Sequence, residues 1–214
     1  MLIPIETVRD ELAKHGVVTR GVFHVGAHEC EELEGYNRIG ISSENVIWID
    51  AIEEKVHAAR TRGIPNVHHA IVTDKDGADV TFHVGNNTQS SSILEFGTHA
   101  TEHPWVHYVS EFTCPSITVD TFFAREGLDA KQYNLWNFDI QGAELMALRG
   151  ATATLAHAEA LYLEVNAKEL YKGCGLLPEM DAFLETHGFK RVLMKMTPHG
   201  WGDALYVRVS KPTV

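Results

Sequence analysis

Four residues stand at or near the ends of apolar runs: Gly26 after "VFHV", Asp50 after "NVIWI", Asp139 after "YNLWNF" and Glu164 in "ALYLEVN". Three of them are acids in runs that are otherwise mostly apolar. Burying an unpaired charge is costly, so an acid delivered this way has a partner, a proton or a ligand. A carboxylate so placed can accept hydrogen bonds from ligand hydroxyls, take a proton from a reacting group, or join a second carboxylate around a hard cation. A glycine at the same level lets the chain turn sharply and lets a ligand approach the backbone.

The elements that must hold these residues alternate in type. The segment Ile5–Lys14 reads as a helix with Val8 and Leu12 on one face. "GVFHVGA" is a short buried strand stopping at Gly26, and the acid-rich segment 29–39 is a helix. "NVIWIDA", "VHHAIVTD" and "ADVTFHV" are strands, with "EEKVHAAR" a helix between the first two. The segment from Asn86 to Pro115 shows no clear period and is expected to be a loop over the site. "TVDTFFAREG" is an amphipathic helix closing at a glycine. "YNLWNFDI" is a strand, "GAELMALRGA" a helix, "ALYLEVN" a strand and 178–187 a helix. Two late strands, "FKRVLMKM" and "DALYVRV", flank "TPHGWG". The pattern predicts an α/β fold across one 214-residue domain, a mainly parallel sheet with helices on both faces and a late antiparallel strand. In such sheets ligands bind beyond the carboxyl ends of the strands, where the four residues lie.

Composition limits the partners. The formal net charge is −11 and no basic run exists, which argues against nucleic acid. No stretch is long and apolar enough to span a membrane. Cys30, Cys114 and Cys174 have neither metal-type nor redox-type spacing. With an N-terminus unlike a secretory signal, they suggest a cytoplasmic protein with reduced thiols. Composition leaves the oligomeric state open.

The turn "HVGAHE" fits a dinucleotide site, a methyl-donor site or a plain tight turn. A dinucleotide fingerprint wants G-x-G-x-x-G, and here the second and third glycines are missing. Glu29, Glu31 and Glu32 would repel a pyrophosphate. They would tolerate S-adenosylmethionine, which carries a sulfonium and an ammonium but no phosphate. Asp50, one βα unit later, suits the two hydroxyls of a ribose, or else caps the helix that begins near Glu53.

The stretch "NFDIQGAELMALRGA" carries a resemblance to the FkbM family of S-adenosylmethionine-dependent methyltransferases, whose pattern D-[VI]-E-G-x-E…L-x-G-A is matched by Asp139, Ile140, Gly142, Glu144, Leu148, Gly150 and Ala151. "SITVDTFF" resembles the preceding T-[LV]-D segment through Asp120 and Phe122, and "SSSIL" the serine-leucine segment. The sequence departs from the family at His24, where an acid is usual, around Glu29 and Cys30, where a glycine is usual, and at Gln141, where a glutamate is usual.

The resemblance implies a Rossmann-like class I methyltransferase acting on a hydroxyl oxygen of a carbohydrate, a glycolipid or a natural-product alcohol, and the acidic composition and polar-aromatic loops favour a neutral sugar or glycan among these. It places His24, Gly26, His28, Glu29, Asp50, Ala51, Ala70 and Asp139 at the donor. It places Ser90, Ser91, Trp105, Tyr108, Gln141 and Trp201 at the acceptor. Methyl transfer to oxygen needs an aligned hydroxyl and an acceptor for its proton. Asp139, Glu164, His107 and His199 are the candidate bases. Asp139 and Glu164 together could also hold Mg²⁺ or Mn²⁺, which would acidify the hydroxyl; otherwise one caps a helix and the other meets the ammonium of the donor. His99, His103 and His107 share an i, i+4 spacing, but Pro104 breaks the helix a zinc site would need, which leaves them to a flap or a surface stripe. The alternatives are a nicotinamide-dependent oxidoreductase and a non-catalytic module that binds glycan or a partner through the same fold.

Overall fold

The structure, a computed structural model, describes residues 1–209; the last five of the 214 residues expected in the domain lie outside the described residues. In chain order the helices are α1 (Ile5–Lys14), α2 (Leu33–Arg38), α3 (Glu53–Thr61), α4 (His99–Glu102), α5 (Val119–Glu126), α6 (Glu144–Arg149) and α7 (Leu177–Thr186). The strands are β1 (Val22–Val25), β2 (Val46–Asp50), β3 (Val67–His69), β4 (Ile71–Val72), β5 (Asp79–Gly85), β6 (Tyr108–Ile117), β7 (Leu135–Phe138), β8 (Ala160–Asn166), β9 (Phe189–Met196) and β10 (Trp201–Arg208).

Seven strands form one sheet in the order β3-β2-β1-β7-β8-β10-β9. The first five are parallel, and β10 runs antiparallel to both β8 and β9. This is the Rossmann-like class I methyltransferase arrangement, with the late antiparallel strand in place. The strand order reverses beside β1, and the crevice that such a switch point opens lies at the carboxyl ends of β1 and β7.

Both faces are covered, which explains why the parallel strands are apolar throughout. On one face Phe23, Val25, Trp136 and Phe138 pack against Phe122 and Phe123 of α5 and Leu145 and Leu148 of α6. On the other, Val22, Trp48 and Leu135 meet Val8 and Leu12 of α1 and Val56 of α3. Helix α5 is held at both ends. Thr118 accepts a bond from the Thr121 N–H at its start, and Gly127 takes the left-handed conformation at its end. No helix of the described residues is long and apolar enough to cross a membrane.

Three elements differ from the sequence reading. The run "VHHAIVTD" is not one strand: β3 joins the main sheet, the chain bends at Ala70, and β4 pairs with β6 in a second sheet of order β4-β6-β5. The segment expected to be irregular up to Pro115 contains most of the ten-residue β6, paired along its length with β5. Its inward residues Phe112, Cys114 and Ser116 do alternate with Glu111, Thr113 and Pro115, but only one inward residue in that run is large and apolar. Helix α2 begins at Leu33 rather than 29, because His28 and Cys30 take left-handed backbone conformations, at φ 43° and 56°, which no α-helix accommodates.

Candidate active site

The turn after β1 and the turn after β7 touch. Gly26, at φ 93°, donates its N–H to the Ile49 carbonyl at 2.8 Å, and Ala27 donates to the same oxygen at 2.9 Å. Asp139 donates its N–H to the Val25 carbonyl at 3.0 Å, which brings its own carbonyl against Gly26. The β7 turn then needs two positive φ values, at Gln141 (56°) and Gly142 (96°). Glu144 secures that turn: its Oε1 accepts from the N–H groups of Ile140 at 2.8 Å and Gly142 at 3.2 Å. It is buried, and burial pushes its carboxyl up to about 8.

Two clefts open on either side of Asp139. The first, of about 600 Å³ counting the part open to solvent, runs between the ends of β1, β2 and β4 and is lined by Gly26, His28, Asp50, Ala51, Ala70 and Ser91, with Ile52, Ile71, Phe82 and Ile93 as apolar walls. Asp50 is its anchor. One oxygen accepts from the His28 N–H at 2.6 Å and the other from the Ile52 N–H at 2.8 Å. A carboxylate offers about four acceptor sites, so two remain for ligand hydroxyls. Helix α3 takes its N-cap from Ile52 and receives no side-chain cap, so the capping alternative for Asp50 does not describe its bonds. Burial raises the Asp50 carboxyl above the usual range.

The second cleft is wider, about 1340 Å³ on the same measure, and shares Gly26, His28, Asp139 and Gln141 with the first. Of the residues singled out from sequence, Ser90, Trp105, Glu164 and Trp201 line it. His99, Tyr171 and Asp203 line it as well. Within it Gln141 donates from Nε2 to Asp139 at 2.9 Å and to Glu164 at 2.7 Å, and its Oε1 accepts from the Tyr171 hydroxyl at 2.5 Å. Burial first, then the charges of Asp139 and Glu144, pushes the Glu164 carboxyl well above the usual carboxylate range. Asp203 lies directly across from Glu164 in the β8–β10 register and accepts from the Tyr162 hydroxyl and the Leu2 N–H.

Several expected residues lie elsewhere. His24 points to the opposite face of the sheet. It is buried, neutral because burial lowers it to about 4, and within 3.0 Å of the Tyr36 hydroxyl. Glu29 turns away from the first cleft to Lys55 and Arg62. Tyr108 stacks on Phe96 and donates to the Leu94 carbonyl, so its ring is a packing element of β6. His107 is exposed outside both clefts. His199 pairs with Glu102 at 3.0 Å and meets His103, beyond the cleft lining. Of the four candidate bases, only Asp139 and Glu164 reach the site.

The cation expected between Asp139 and Glu164 meets a different arrangement. The N–H₂ of Gln141 donates to both carboxylates, so a donor stands where a metal needs acceptors. No group of three or more His, Cys, Asp or Glu arranged for a metal exists among the described residues. The zinc alternative fails for a separate reason: α4 is four residues long and ends before His103.

Sequence reading missed Tyr171, and it gave no role to Asp203 and Glu144 at the site. Asp203 carried a signal, as the acid on a late strand beside Glu164. Tyr171 carried none, since it comes from the connection after β8 and reaches Gln141 only through the fold.

The profile of the methyltransferase FkbM domain matches residues 24–191. No curated protein sequence matches the chain. Among solved structures, the magnesium protoporphyrin IX methyltransferase of Synechocystis PCC 6803 with bound S-adenosylmethionine is 14% identical, with 95% of this chain and 77% of that chain covered at a TM-score of 0.47. The Thermoplasma acidophilum 1320 protein is 13% identical over 95% of this chain and 84% of that one, at 0.46. A S-adenosylmethionine-dependent methyltransferase from Aquifex aeolicus is 13% identical over 98% and 100%, at 0.40.

Proposed function

The chain belongs to the FkbM methyltransferase family, and on that premise we propose that it transfers a methyl group from S-adenosylmethionine to a hydroxyl oxygen of a sugar or glycan. The observation that carries this reading is the position of Asp139. It stands on the wall shared by a cleft suited to a nucleoside and a polar-aromatic cleft suited to a polyol.

The first cleft fits the donor. Asp50 has free acceptor capacity for both ribose hydroxyls, and Ile52, Ile71, Phe82 and Ile93 offer flat apolar surface to a base. The Gly26 turn and Asp139 stand at the methionine end. When bound, S-adenosylmethionine supplies a methyl carbon activated by its sulfonium. The chain's own work is then to align the hydroxyl, exclude water and hold the released proton. Asp139 and Glu164, joined by Gln141, are the carboxylates placed to receive that proton. Glu164, raised by burial and by its neighbours, takes up a proton at a pH where an ordinary carboxylate does not. Trp105, Trp201 and Tyr171 offer flat surfaces to a sugar ring, and Ser90 a hydrogen-bonding hydroxyl. No step needs a metal between the carboxylates.

The oxidoreductase reading is disfavoured by the incomplete glycine pattern of the turn after β1. A non-catalytic module would have no need for two acids joined by Gln141 at the junction of the two clefts, one of them buried and raised. The net charge of −11 favours a small molecule or glycan over nucleic acid, and we read the three free cysteines as those of a cytoplasmic protein. Calorimetric titration with S-adenosylmethionine, S-adenosylhomocysteine and NAD tests the donor, and a methyl-transfer screen over free sugars and glycans tests the acceptor. Binding of NAD alone would overturn the reading.

A further inference from the structure

Gln141 is gripped from two sides. Its backbone takes a left-handed conformation, φ 56°, and its carbonyl accepts from the Ser92 hydroxyl at 2.9 Å. Its side chain is fully engaged: Nε2 donates to Asp139 at 2.9 Å and to Glu164 at 2.7 Å, while Oε1 accepts from the Tyr171 hydroxyl at 2.5 Å. An amide turned by half a rotation fills the same space with its oxygen and nitrogen exchanged. Two ionised carboxylates forbid that turn, because it would set a third acceptor against them. A protonated Glu164 does not forbid it, since a carboxylic O–H donates to an amide oxygen. Burial raises Glu164, so its own charge does not settle which way Gln141 faces.

Tyr171 settles it. In the observed orientation its proton has the Gln141 oxygen at 2.5 Å; with the amide turned, its proton is left with the Ser90 carbonyl at 3.4 Å. That second contact is too long to replace the first. The phenol is itself fixed. Tyr171 is 1% exposed, its backbone bridges to Phe96, and its ring lies 5.7 Å from that of Phe96 and 5.4 Å from that of His99. Burial, then the charge of Glu164, pushes the phenol up, so it keeps its proton and stays a donor.

We infer that Tyr171 is a positioning residue for proton uptake: its hydroxyl holds the Gln141 amide with N–H₂ toward Asp139 and Glu164, and so keeps the Glu164 carboxylate available to the proton of the reacting hydroxyl. This rests on the reading of Asp139 and Glu164 as the acids that receive that proton.

The test is Tyr171→Phe, which keeps the ring and removes the hydroxyl. Carbon-13 NMR of the full chain, glutamate-labelled and saturated with S-adenosylhomocysteine, follows the Glu164 carboxyl through a pH titration; Glu164→Gln assigns the signal. Donation to a carboxylate favours its charged form, so the Glu164 midpoint is expected to rise in Tyr171→Phe. Asp139, Glu144 and Asp203 also face Glu164, and that variant leaves them in place. A hydrogen bond to a charged group shifts an equilibrium by about tenfold or more. Turnover at neutral pH, with the acceptor found in the sugar screen, should therefore fall about tenfold and recover as pH rises through the new midpoint. In Gln141→Met, which has no amide, adding Tyr171→Phe should move neither readout further.

An unchanged Glu164 midpoint overturns the inference. So does a loss of turnover that is equal at every pH, or an effect of Tyr171→Phe that persists in Gln141→Met. If the screen finds no acceptor, the acceptor reading fails by itself, and the Glu164 midpoint still decides the role of Tyr171. Should Tyr171→Phe fail to fold, nitrogen-15 spectra of the wild-type chain decide instead. The Gln141 amide protons, assigned by their loss in Gln141→Met, are expected to be protected from exchange; exchange as fast as that of free glutamine overturns the inference.

Discussion

The α-carbon of Gly26 and the carbonyl oxygen of Asp139 are in such close contact that a Cβ built on Gly26 would lie 1.9 Å from that oxygen. The glycine is therefore required by the chain before any ligand arrives. It lets the turn after β1 and the turn after β7 interlock, and the interlock places Asp139 at the junction of the two clefts.

Gly26→Ala is accordingly expected to damage fold and site together. The residue sits at φ 93°, where a non-glycine side chain alone costs about 1–3 kcal/mol, and the contact with Asp139 adds to that. Thermal melting should show a clear loss, with S-adenosylhomocysteine affinity falling in parallel. A variant that melts like wild type but no longer binds would place the requirement in the ligand instead.

Asp50→Ala removes an acceptor for the His28 and Ile52 N–H groups as well as for the ribose hydroxyls. Donor affinity should fall by on the order of 2 kcal/mol, read by calorimetry with S-adenosylhomocysteine. Asp50→Asn should recover part of the loss, since its one oxygen keeps one of the backbone bonds. Unchanged affinity in Asp50→Ala would show that the residue serves the turn alone.

Much of this arrangement was legible because it is local. Strand, turn and acid follow one another within a few residues at Asp50 and Asp139, and an apolar strand ending in an acid is visible in any register. Glu164 was visible for the same reason. What stayed hidden depended on which face of an element a side chain takes, or on contacts between distant segments. His24 alternates with Val25 and Phe23 on β1, and a run buried on both faces gives no sign of which residue points toward the ligand. Strand β6 is half polar because it lies in a small outer sheet, so its alternation was faint. Tyr171 and Gln141 are thirty positions apart and meet only in the folded chain.

Glu144 links the turn to a pH dependence of stability. Its folded carboxyl is raised to about 8 by burial, against about 4.3 unfolded. Between those values the folded state binds more protons than the unfolded one, so stability is greatest below about pH 4.3 and is lost as pH rises toward 8. Glu164, raised in the same sense, adds to the slope. Melting temperature, measured where other groups contribute least, is expected to fall from about pH 6 to pH 8. Glu144→Gln keeps the oxygen that accepts from Ile140 and Gly142 and removes the ionisation, so its profile should be flatter and its stability at pH 8 no lower than wild type. Lower stability of Glu144→Gln than of wild type at pH 8 would show that the carboxylate charge is itself what holds the turn.

Gln141 stands where the family usually has glutamate, and its amide separates two carboxylates. Activity is expected to survive exhaustive EDTA treatment, with no stimulation by Mg²⁺ or Mn²⁺. Gln141→Glu would replace the donor with a third acid, and its turnover should fall at least about tenfold at neutral pH while S-adenosylhomocysteine binding changes little. Loss of wild-type activity in EDTA, restored by either metal, would return the cation to the site.

Trp105 and His107 separate the two roles assigned to the segment between β5 and β6. Trp105 is exposed, lines the wider cleft and meets His103 edge-on at 5.4 Å, so it is available to a sugar ring and carries little of the core. His107 lies two residues on, exposed and outside both clefts, with its backbone N–H donating to Asn86. Trp105→Ala should raise the acceptor KM several-fold, on the scale of the roughly 1–2 kcal/mol that a stacked aromatic contributes, with kcat, melting temperature and S-adenosylhomocysteine affinity close to wild type. His107→Ala should leave all four unchanged, because a surface substitution without a partner is usually within about 0.5 kcal/mol of neutral. Steady-state kinetics with the acceptor found in the sugar screen would decide between them. A loss of kcat in His107→Ala at intact stability would mean that the segment folds over the cleft during turnover and brings His107 to the reacting hydroxyl after all.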